Sequence, residues 1–520
     1  MAMSINSGLK RSLKRLSTAL VAVGIFLIFS ACNLLPALRD EADNTSSSSA
    51  NDRLEESDFA ILIGRKSGLI TYLGPNGNVF TTNQAGRNLV SITSDSNLDK
   101  IQDLNRAPEA VYYLLPTWST SGRKLAFGQH HVTNSSDQDF AQAPDNNLQN
   151  QPQSISISNE QNQLEISEPT AGTIQQQDRD SQTNVYTIFS ADADGANKKI
   201  VWRGTARPIY MYWAPDEVTL SVLLQEPGAN ALQLVLISTT EPYAGNEAIQ
   251  VIDVGGPLYW DWAPHGKQIL THVGTTAPSE RMSLLNLEAS VVEEVLDFSP
   301  ARFAAPDISP DGRRIMLPLR SDIVGDDDTW VSIISMATRK KSTIDKINGD
   351  LFIGGAFSPD SSKVGYIASK ANAETPVGEL AVYTLETGEL AISESKNLIA
   401  FFWSPDSSKI ALFELIPSTT GEDNEQSTNG RPKLGLYIFD VESEEVVELI
   451  KPFETTAQFT EVLTFYSQYQ RSATIWSPDS QSVVLPVRTP GGPVIIVMDI
   501  SGKIHPRTLA PGVLAFWSAE

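Results

Sequence analysis

The chain has 520 residues, of which 41% are apolar and 19% are charged, with 33 Gly, 30 Pro and a single Cys. This composition excludes a disordered chain, a coiled coil and a small disulfide-stapled domain. The formal net charge is −23 at pH 7. Because an acidic protein repels phosphate backbones, we expect no nucleic-acid partner.

The N-terminus has the pattern of an export signal. An apolar run from Ala19 to Phe29 leads to Ser30-Ala31-Cys32, and four basic residues precede it: Lys10, Arg11, Lys14 and Arg15. A basic flank, a short apolar run and small residues before the cut are typical of a secretory signal peptide. The run is shorter than the roughly 20 residues of a membrane-spanning helix. Residues 1–31 are therefore predicted to be a signal peptide.

The segment that ends at Cys32 resembles the bacterial lipobox, although Phe29 stands where that family usually has Leu. The resemblance implies that the thiol of Cys32 is acylated and becomes the mature N-terminus. The protein would then be held by its lipid on the outer face of a membrane of the bacterial cell envelope. The alternative is an ordinary exported protein that is cleaved just before Cys32. Residues 32–58 contain the polar stretch 39–58 and are predicted to be a disordered tether.

The rest of the chain repeats one pattern, an apolar strand that ends in Trp or another large residue and continues as Ser-Pro-Asp-Gly/Ser. Copies of differing quality begin at Trp118, Trp213, Trp262, Ile308, Phe357, Trp403, Trp476 and Trp517. In Ser-Pro-Asp-Gly, the Ser, Pro and Gly occupy the positions that a type I turn prefers. An apolar strand lies on each side of the turn, and two further strands follow. Four strands per repeat of about 40–50 residues are typical of a propeller blade.

The two chain ends are predicted to share one blade. The chain ends on a first strand, 513–517, and the segment after the tether contains three strand-like pieces, 59–63, 69–73 and 78–82. We expect the terminal strand to pair beside 59–63. The fold class is therefore all-β, a β-propeller of four-stranded blades with eight blades, the last shared between the termini. Seven blades are the alternative if the terminal piece is only a cap. We expect a monomeric ring.

The repeat is similar to the TolB-type, WD-like propeller repeat and to the propeller domains of prolyl oligopeptidase-type enzymes. The resemblance covers residues 59–520 and implies architecture rather than function. TolB resembles a six-bladed propeller behind a small α/β domain, and no such domain is expected before these blades. The sequence also has no Gly-x-Ser-x-Gly elbow of the kind that oligopeptidases carry. Neither a Tol–Pal role nor a hydrolase is therefore implied.

Three insertions interrupt the predicted blades. Residues 132–184 are rich in Gln, Asn and Ser and are predicted to be a disordered loop, as are residues 416–432. Residues 452–471 differ, because they carry large apolar side chains, among them Phe453, Phe459, Phe465 and Tyr466. These four either pack on the ring or form an aromatic interface loop.

Catalytic and metal signals are weak. None of the five histidines has ligand spacing such as His-Glu-x-x-His, and no phosphate-binding Gly-x-x-x-x-Gly-Lys loop occurs. The calcium-like run from Asp192 to Asn197 falls between a third and a fourth strand, where a turn is expected. We predict no metal, no cofactor and no catalytic residue.

The sequence favours a binding scaffold over an enzyme. The first hypothesis is a lipid-anchored extracytoplasmic propeller that binds an envelope protein or a peptide at one face or at the channel mouth. Candidate aromatic residues at that channel or face are Tyr210, Tyr212, Tyr259, Phe401 and Phe402. The alternatives are a receptor for a small molecule or glycan, and a hydrolase or lyase. An enzyme would need two or more acidic or His side chains near the axis with shifted pKa values.

Overall fold

The computed structural model describes residues 68–101, 107–134, 182–243, 245, 249–275, 280–288, 291–323, 325–370, 376–417, 432–501 and 504–519. Its strands form eight antiparallel sheets, seven of four strands and one of three. The sheets follow one another around an axis, and strands near the axis contact strands of the next sheet. The predicted β-propeller is confirmed, with eight blades rather than seven.

Blade 1 is built from strands at both ends of the chain, and blades 2 to 4 follow it in sequence order. Blade 1 contains β1 (Ile70–Leu73), β2 (Val79–Thr82), β3 (Val90–Ser91) and the C-terminal strand β31 (Leu514–Trp517), and a 3-10 helix (Leu98–Lys100) follows β3. Blade 2 contains β4 (Glu109–Trp118), β5 (Lys124–Asn134), β6 (Gln182–Asp192) and β7 (Lys199–Gly204). Blade 3 contains β8 (Arg207–Trp213), β9 (Thr219–Gln225), β10 (Leu232–Ser238) and β11 (Ile249–Gly255). Blade 4 contains β12 (Leu258–Trp262), β13 (Gln268–Val273), β14 (Arg281–Asn286) and β15 (Val292–Val295).

Blades 5 to 8 complete the ring. Blade 5 contains β16 (Asp307–Ile308), β17 (Arg314–Arg320), β18 (Thr329–Ser335) and β19 (Lys341–Ile347). Blade 6 contains β20 (Leu351–Phe357), β21 (Lys363–Lys370), β22 (Leu380–Thr384) and β23 (Leu390–Ile392). Blade 7 contains β24 (Leu398–Trp403), β25 (Lys409–Ile416), β26 (Lys433–Asp440) and β27 (Val446–Phe453). Helices α1 (Ala457–Thr464) and α2 (Tyr466–Tyr469) precede blade 8, which contains β28 (Ser482–Thr489), β29 (Gly492–Asp499) and β30 (Arg507–Pro511).

Blade 1 closes the ring with strands from both termini, as predicted. β1 lies between β2 and β31, with Ile70 opposite Trp517 and Leu73 opposite Leu514. The predicted neighbour of the terminal strand was wrong, because β1 takes the place assigned to 59–63. Every residue of β1 is buried, as a central strand requires. Residues 59–63 lie outside the described residues, and the outermost strand is β3.

The tryptophans that end the innermost strands join neighbouring blades. Each of four indole N–H groups donates to a carbonyl of the preceding blade, namely Trp118 to Phe516 (3.3 Å), Trp213 to Thr117 (3.2 Å), Trp403 to Ala356 (3.2 Å) and Trp476 to Phe402 (3.0 Å). All four tryptophans are buried. Each acceptor directly precedes the corresponding motif residue of its own blade, so consecutive blades stand at the same height.

The Ser-Pro-Asp turns lie together on one face of the ring. In the turn after Trp403, the N–H of Ser407 donates to the carbonyl of Ser404 at 2.9 Å, which is the predicted turn hydrogen bond. Neighbouring turns are joined by backbone N–H to hydroxyl bonds, namely Asp311 to Ser361 (3.0 Å), Asp360 to Ser407 (3.0 Å) and Asp406 to Ser480 (3.1 Å). We call this side of the ring the motif face and the opposite side, where the innermost strands begin, the insertion face.

The predicted insertions begin and end differently in the structure. β5 and β6 continue to Asn134 and Gln182, so the ends of 132–184 are strand, while 135–181 lie outside the described residues. Of 416–432, residues 418–431 also lie outside them. The segment 452–471 lies entirely within the described residues and contains the end of β27 and both helices.

Candidate functional site

Residues 454–474, which we call the central segment, fill the axis of the ring. The segment enters from the insertion face after β27, and the hydroxyl of Thr456 donates to the carbonyl of Val513 at 2.5 Å. Further hydrogen bonds join it to innermost strands, from Tyr466 to the Gly354 carbonyl (2.7 Å), from Tyr210 to the Gln468 carbonyl (3.0 Å) and from Thr117 to the Ser472 carbonyl (3.2 Å). Thr474 then forms a β-bridge with Trp517. The chain therefore closes its own channel.

A buried ion cluster holds the C-terminal end of the central segment. The guanidinium of Arg471 contacts the carboxylates of Asp261, at 3.5 Å, and Asp307. These carboxylates also accept backbone N–H groups of the next blade, from Ile308 to Asp261 and from Phe357 to Asp307, both at 2.6 Å. Burial raises the pKa of the Asp261 carboxyl, and the charge of Arg471 opposes that shift.

Asp261 and Asp307 lie near the axis, where a catalytic acid pair was expected, but their side chains are buried. Asp261 is 3% exposed and Asp307 is 1% exposed. Their oxygens are engaged by Arg471 and by backbone N–H groups. The cluster therefore joins the central segment to blades 4, 5 and 6.

The five aromatic residues predicted at the channel divide into two groups. Tyr210, Tyr259 and Phe401 face the central segment, with ring centroids 5.1 Å from Tyr469, 6.4 Å from Phe465 and 5.2 Å from Tyr466 respectively. Tyr212 stacks on Trp260 of blade 4 at 5.5 Å, and Phe402 packs edge-on against Phe413 at 6.0 Å. They support the packing of the axis and the blades, and four of them are buried while Tyr259 is partly buried.

The four aromatics proposed for an interface loop lie inside the ring. Phe453, Phe459 and Tyr466 are 5% exposed or less, and Phe465 is partly buried. Phe459 packs against Phe413 with ring centroids 5.8 Å apart. Of the two alternatives, packing describes their positions, because the segment turns inward along the axis instead of leaving the rim.

The channel mouth on the insertion face is bordered by an extension of blade 2. β4, β5 and β6 have 10, 11 and 11 residues, and no other described strand exceeds eight. Tyr112, His130 and Tyr186 lie opposite one another on the three strands. The Tyr112 hydroxyl lies 2.7 Å from His130 Nδ1, and His130 Nε2 lies 2.8 Å from Asn184 Oδ1. The ring of Tyr186 stacks on His130 at 4.3 Å.

Two charged groups complete this mouth, Arg207 at the start of β8 and Glu461 on α1. Burial lowers the pKa of His130 to about 4, so its imidazole is neutral at pH 7. Burial raises the pKa of Tyr112 to about 12 and also raises that of Glu461, while the charge of Arg207 opposes both shifts. The mouth therefore combines one cation, one carboxyl group and three partly or fully buried rings.

Among the described residues, no group of three or more His, Cys, Asp or Glu side chains is arranged to hold a metal ion. The calcium-like run forms the predicted turn, with the N–H of Gly195 donating to the Asp192 carbonyl at 2.9 Å. Within the same residues, no helix is long and apolar enough to cross a membrane. Cys32 lies outside them, so its lipidation stays a prediction.

Sequence reasoning missed Arg471, the aspartates it binds, and the cluster around His130. A signal existed for Asp261 and Asp307, since each is a lone acid in an otherwise apolar innermost strand. For His130 the signal was weaker. The alternation that aligns it with Tyr112 and Tyr186 depends on the register of three strands, two of which are separated by a long insertion.

No protein-family model matches the sequence, and the comparison with curated proteins finds no match. Solved structures with a similar fold include TolB from Acinetobacter baumannii, with 15% identity over 64% of this chain and 79% of that chain and a TM-score of 0.33. The tricorn protease has 14% identity over 85% of this chain and 38% of that chain, with a TM-score of 0.41.

A third similar structure is the β-propeller domain of the Trilobed protease from Pyrococcus furiosus, with 11% identity over 77% of this chain and 98% of that chain and a TM-score of 0.40. Identities and TM-scores this low carry no functional argument. By its own topology the chain is an eight-bladed β-propeller, and its structural neighbours include TolB and other propeller proteins.

Proposed function

We propose that the protein is a lipid-anchored, extracytoplasmic β-propeller that serves as a protein- or peptide-binding scaffold in the bacterial cell envelope. The lipid on Cys32 holds the ring at the outer face of a membrane, and residues 32–58 act as the tether. The ring presents its loops to a partner, as propellers do when several blades converge on one face.

The filled axis is the observation that carries the proposal. Small-molecule sites are usually concave clefts, whereas here the central segment occupies the axis and bonds to the innermost strands of blades 2, 3 and 6. Binding then takes place on a face. The insertion face is favoured because the longest strands, β4 to β6, project there and end beside the long insertion 135–181.

The anchor is tested by metabolic labelling with palmitate in a bacterial host. The wild-type chain should carry the label in the membrane fraction. The Cys32→Ser variant should lose the label and leave that fraction, because acylation needs the thiol. A labelled Cys32→Ser chain would contradict the lipid anchor.

The binding face is tested with a photo-crosslinking amino acid in the membrane-bound protein. We expect one shared adduct from the exposed positions Thr183 and Arg320 on the insertion face, and none from Arg313 and Glu442, which are exposed on the motif face. Adducts confined to the motif face would contradict the assignment of the face. An adduct that a glycosidase removes and a protease does not would favour the glycan receptor, and no adduct from any position would contradict the scaffold.

A further inference from the structure

Arg207 is a cation without a hydrogen-bonded partner at the mouth of the axis, and Glu461 interacts with it electrostatically. It begins β8, is partly buried, and makes no hydrogen bond or ion pair with any other described residue. Other partly buried arginines of this acidic chain contact carboxylates, as Arg281 does with Asp253 and Arg339 with Glu294. A partly desolvated guanidinium without a hydrogen-bonded partner loses hydration, and a carboxyl group that does not contact it offsets only part of that cost. Arg207 is therefore available to an anionic ligand.

The row formed by Tyr112, His130 and Tyr186 stands beside Arg207. Tyr186 pairs with Gly204 at the end of β7, and the chain reaches Arg207 three residues later. Tyr186 also packs with Ala206 and Met211 in the apolar cluster between blades 2 and 3. The innermost strands β4 and β8, which carry Tyr112 and Arg207, contact each other. The aromatic row and the guanidinium thus border the same entrance.

The hydrogen bonds of the row set its chemistry. His130 Nε2–H donates to Asn184, so Nδ1 accepts from the hydroxyl of Tyr112. The neutral imidazole adds no charge to the site. The stacked rings of His130 and Tyr186 offer an apolar surface to a ligand that reaches Arg207.

We propose that Arg207, flanked by Tyr112, His130 and Tyr186, forms a binding site for a carboxylate group of a peptide at the insertion-face mouth. This site rests on the proposed peptide-binding function and names the chemistry of the partner. A guanidinium binds a carboxylate with two parallel hydrogen bonds, and the neighbouring rings pack against the group that carries it.

The position of Glu461 favours a carboxylate over a phosphate as the ligand of Arg207. Its carboxyl group is near enough to Arg207 for the two to interact electrostatically. A doubly charged phosphate meets more repulsion from that carboxyl group than a singly charged carboxylate does. The carboxylate belongs either to a chain terminus or to an acidic side chain, and both present the same two oxygens.

Saturation-transfer NMR with small probes tests the site on the folded chain. N-acetyl-phenylalanine represents a terminal carboxylate, and acetylated, amidated Phe-Asp represents a side-chain carboxylate. N-acetyl-phenylalaninamide and acetylated, amidated Phe-Asn are the neutral counterparts. At least one carboxylate probe should bind and its neutral counterpart should not, and the probe that binds identifies the source of the carboxylate.

Arg207→Gln should weaken carboxylate binding at least about tenfold, the loss expected for a charge-assisted bidentate pair. Arg203→Gln is the matched control, because Arg203 is exposed on β7 of the adjoining blade and should leave binding within about twofold. If Arg207→Gln does not fold, Arg207→Lys decides the question, since it keeps the charge and loses the fork. We expect it to bind several-fold more weakly.

Unchanged carboxylate binding in Arg207→Gln, or in a folded Arg207→Lys, would overturn the proposal. So would the absence of binding by both carboxylate probes, or tighter binding of phenyl phosphate. If the insertion-face positions give crosslinks but the carboxylate probes bind independently of Arg207, this site alone is overturned and the scaffold function stands. Loss of both results would overturn the scaffold function as well.

Discussion

At the residue scale, the ring depends on hydroxyl groups held in an unusual backbone conformation. Ser361, Ser407 and Ser480 have positive φ angles of 62°, 63° and 57°. Each accepts the N–H of the motif aspartate in the preceding blade, and that N–H has no strand partner. A side chain at positive φ is costly, so glycine is the usual choice there. Serine at these positions offsets the cost with a bond between blades.

Ser407→Ala should therefore destabilise the ring. The variant keeps the positive φ and leaves the N–H of Asp360 unpaired, which lowers the free energy of unfolding by about 1–3 kcal/mol. The matched control is Ser408→Ala, because Ser408 is only partly buried and its hydroxyl bonds to Asp406 and Lys409 of its own blade. Its effect should stay within about 0.5 kcal/mol. Equal losses in urea denaturation would contradict a role between blades.

A second prediction at this scale concerns pH. Burial lowers the pKa of His272 to about 4, below the unfolded value of about 6.5. Between these values the unfolded chain binds more protons than the folded chain, so the free energy of unfolding falls as pH drops from about 6.5 to 4. His272→Gln should flatten this slope by up to about 1.4 kcal/mol per pH unit, as urea denaturation at several pH values would measure. The exposed control His265→Gln should not flatten it, and an equal change would refute the prediction.

At the element scale, the central segment replaces most of the innermost strand of blade 8. Blade 8 has three strands, and only a bridge between Trp476 and Val483 stands where a fourth would pair. The side chains of α1 and α2 fill the axis instead, with Phe459 and Leu463 1% exposed or less. The apolar side chains of the segment are therefore buried as in a core helix, and the ring has no open channel along its axis.

Arg471 is the residue on which this replacement most depends. Arg471→Met removes the cation that two buried carboxylates share, and it should lower the free energy of unfolding by about 3–5 kcal/mol. Adding Asp307→Asn should restore part of that loss, because one of the uncompensated charges disappears. Arg339→Met is the control, and its loss should stay below about 1 kcal/mol, since the side chain of its partner Glu294 is 51% exposed and solvent screens the pair. Equal losses in the two single variants would contradict the buried cluster.

At the scale of the whole molecule, closure of the ring depends on a few residues at the end of the chain. β31 supplies the innermost strand of blade 1, and all four of its residues are buried. It pairs with β1, and the indole of Trp118 donates to its Phe516 carbonyl. The strand therefore bonds to its own blade and to blade 2.

Truncation after Pro511 should consequently prevent cooperative folding. The deletion exposes the partners of Leu514, Phe516 and Trp517, whose burial is worth about 1.5–3 kcal/mol each. That sum approaches the total stability of a typical domain, about 5–15 kcal/mol. Deleting only residues 519–520 keeps β31 and the bond from the Leu69 N–H to the Ser518 hydroxyl, so it should leave unfolding unchanged. Calorimetry and near-ultraviolet circular dichroism measure both, and a cooperative transition in the longer truncation would contradict this closure.

The architecture followed from local chemistry. Each Ser-Pro-Asp turn favours a hairpin through neighbouring residues alone, and its recurrence beside Trp identified the blades and the strand that closes the ring. The neighbour of that strand was mistaken, because 59–63 and 69–73 have similar apolar patterns. Only burial on both faces distinguishes a central strand.

The position of the central segment, and with it the candidate site, was decided by the tertiary structure. Phe459 and Tyr466 are large aromatic side chains that suit an exposed rim contact as well as a buried core. They lie on the axis because blade 8 lacks most of its innermost strand. Arg207 and Tyr112 lie on neighbouring blades, and Arg471 contacts Asp307, which is more than 160 positions away in the sequence. Such pairs depend on the closure of the whole ring, whereas a turn depends on its own four residues.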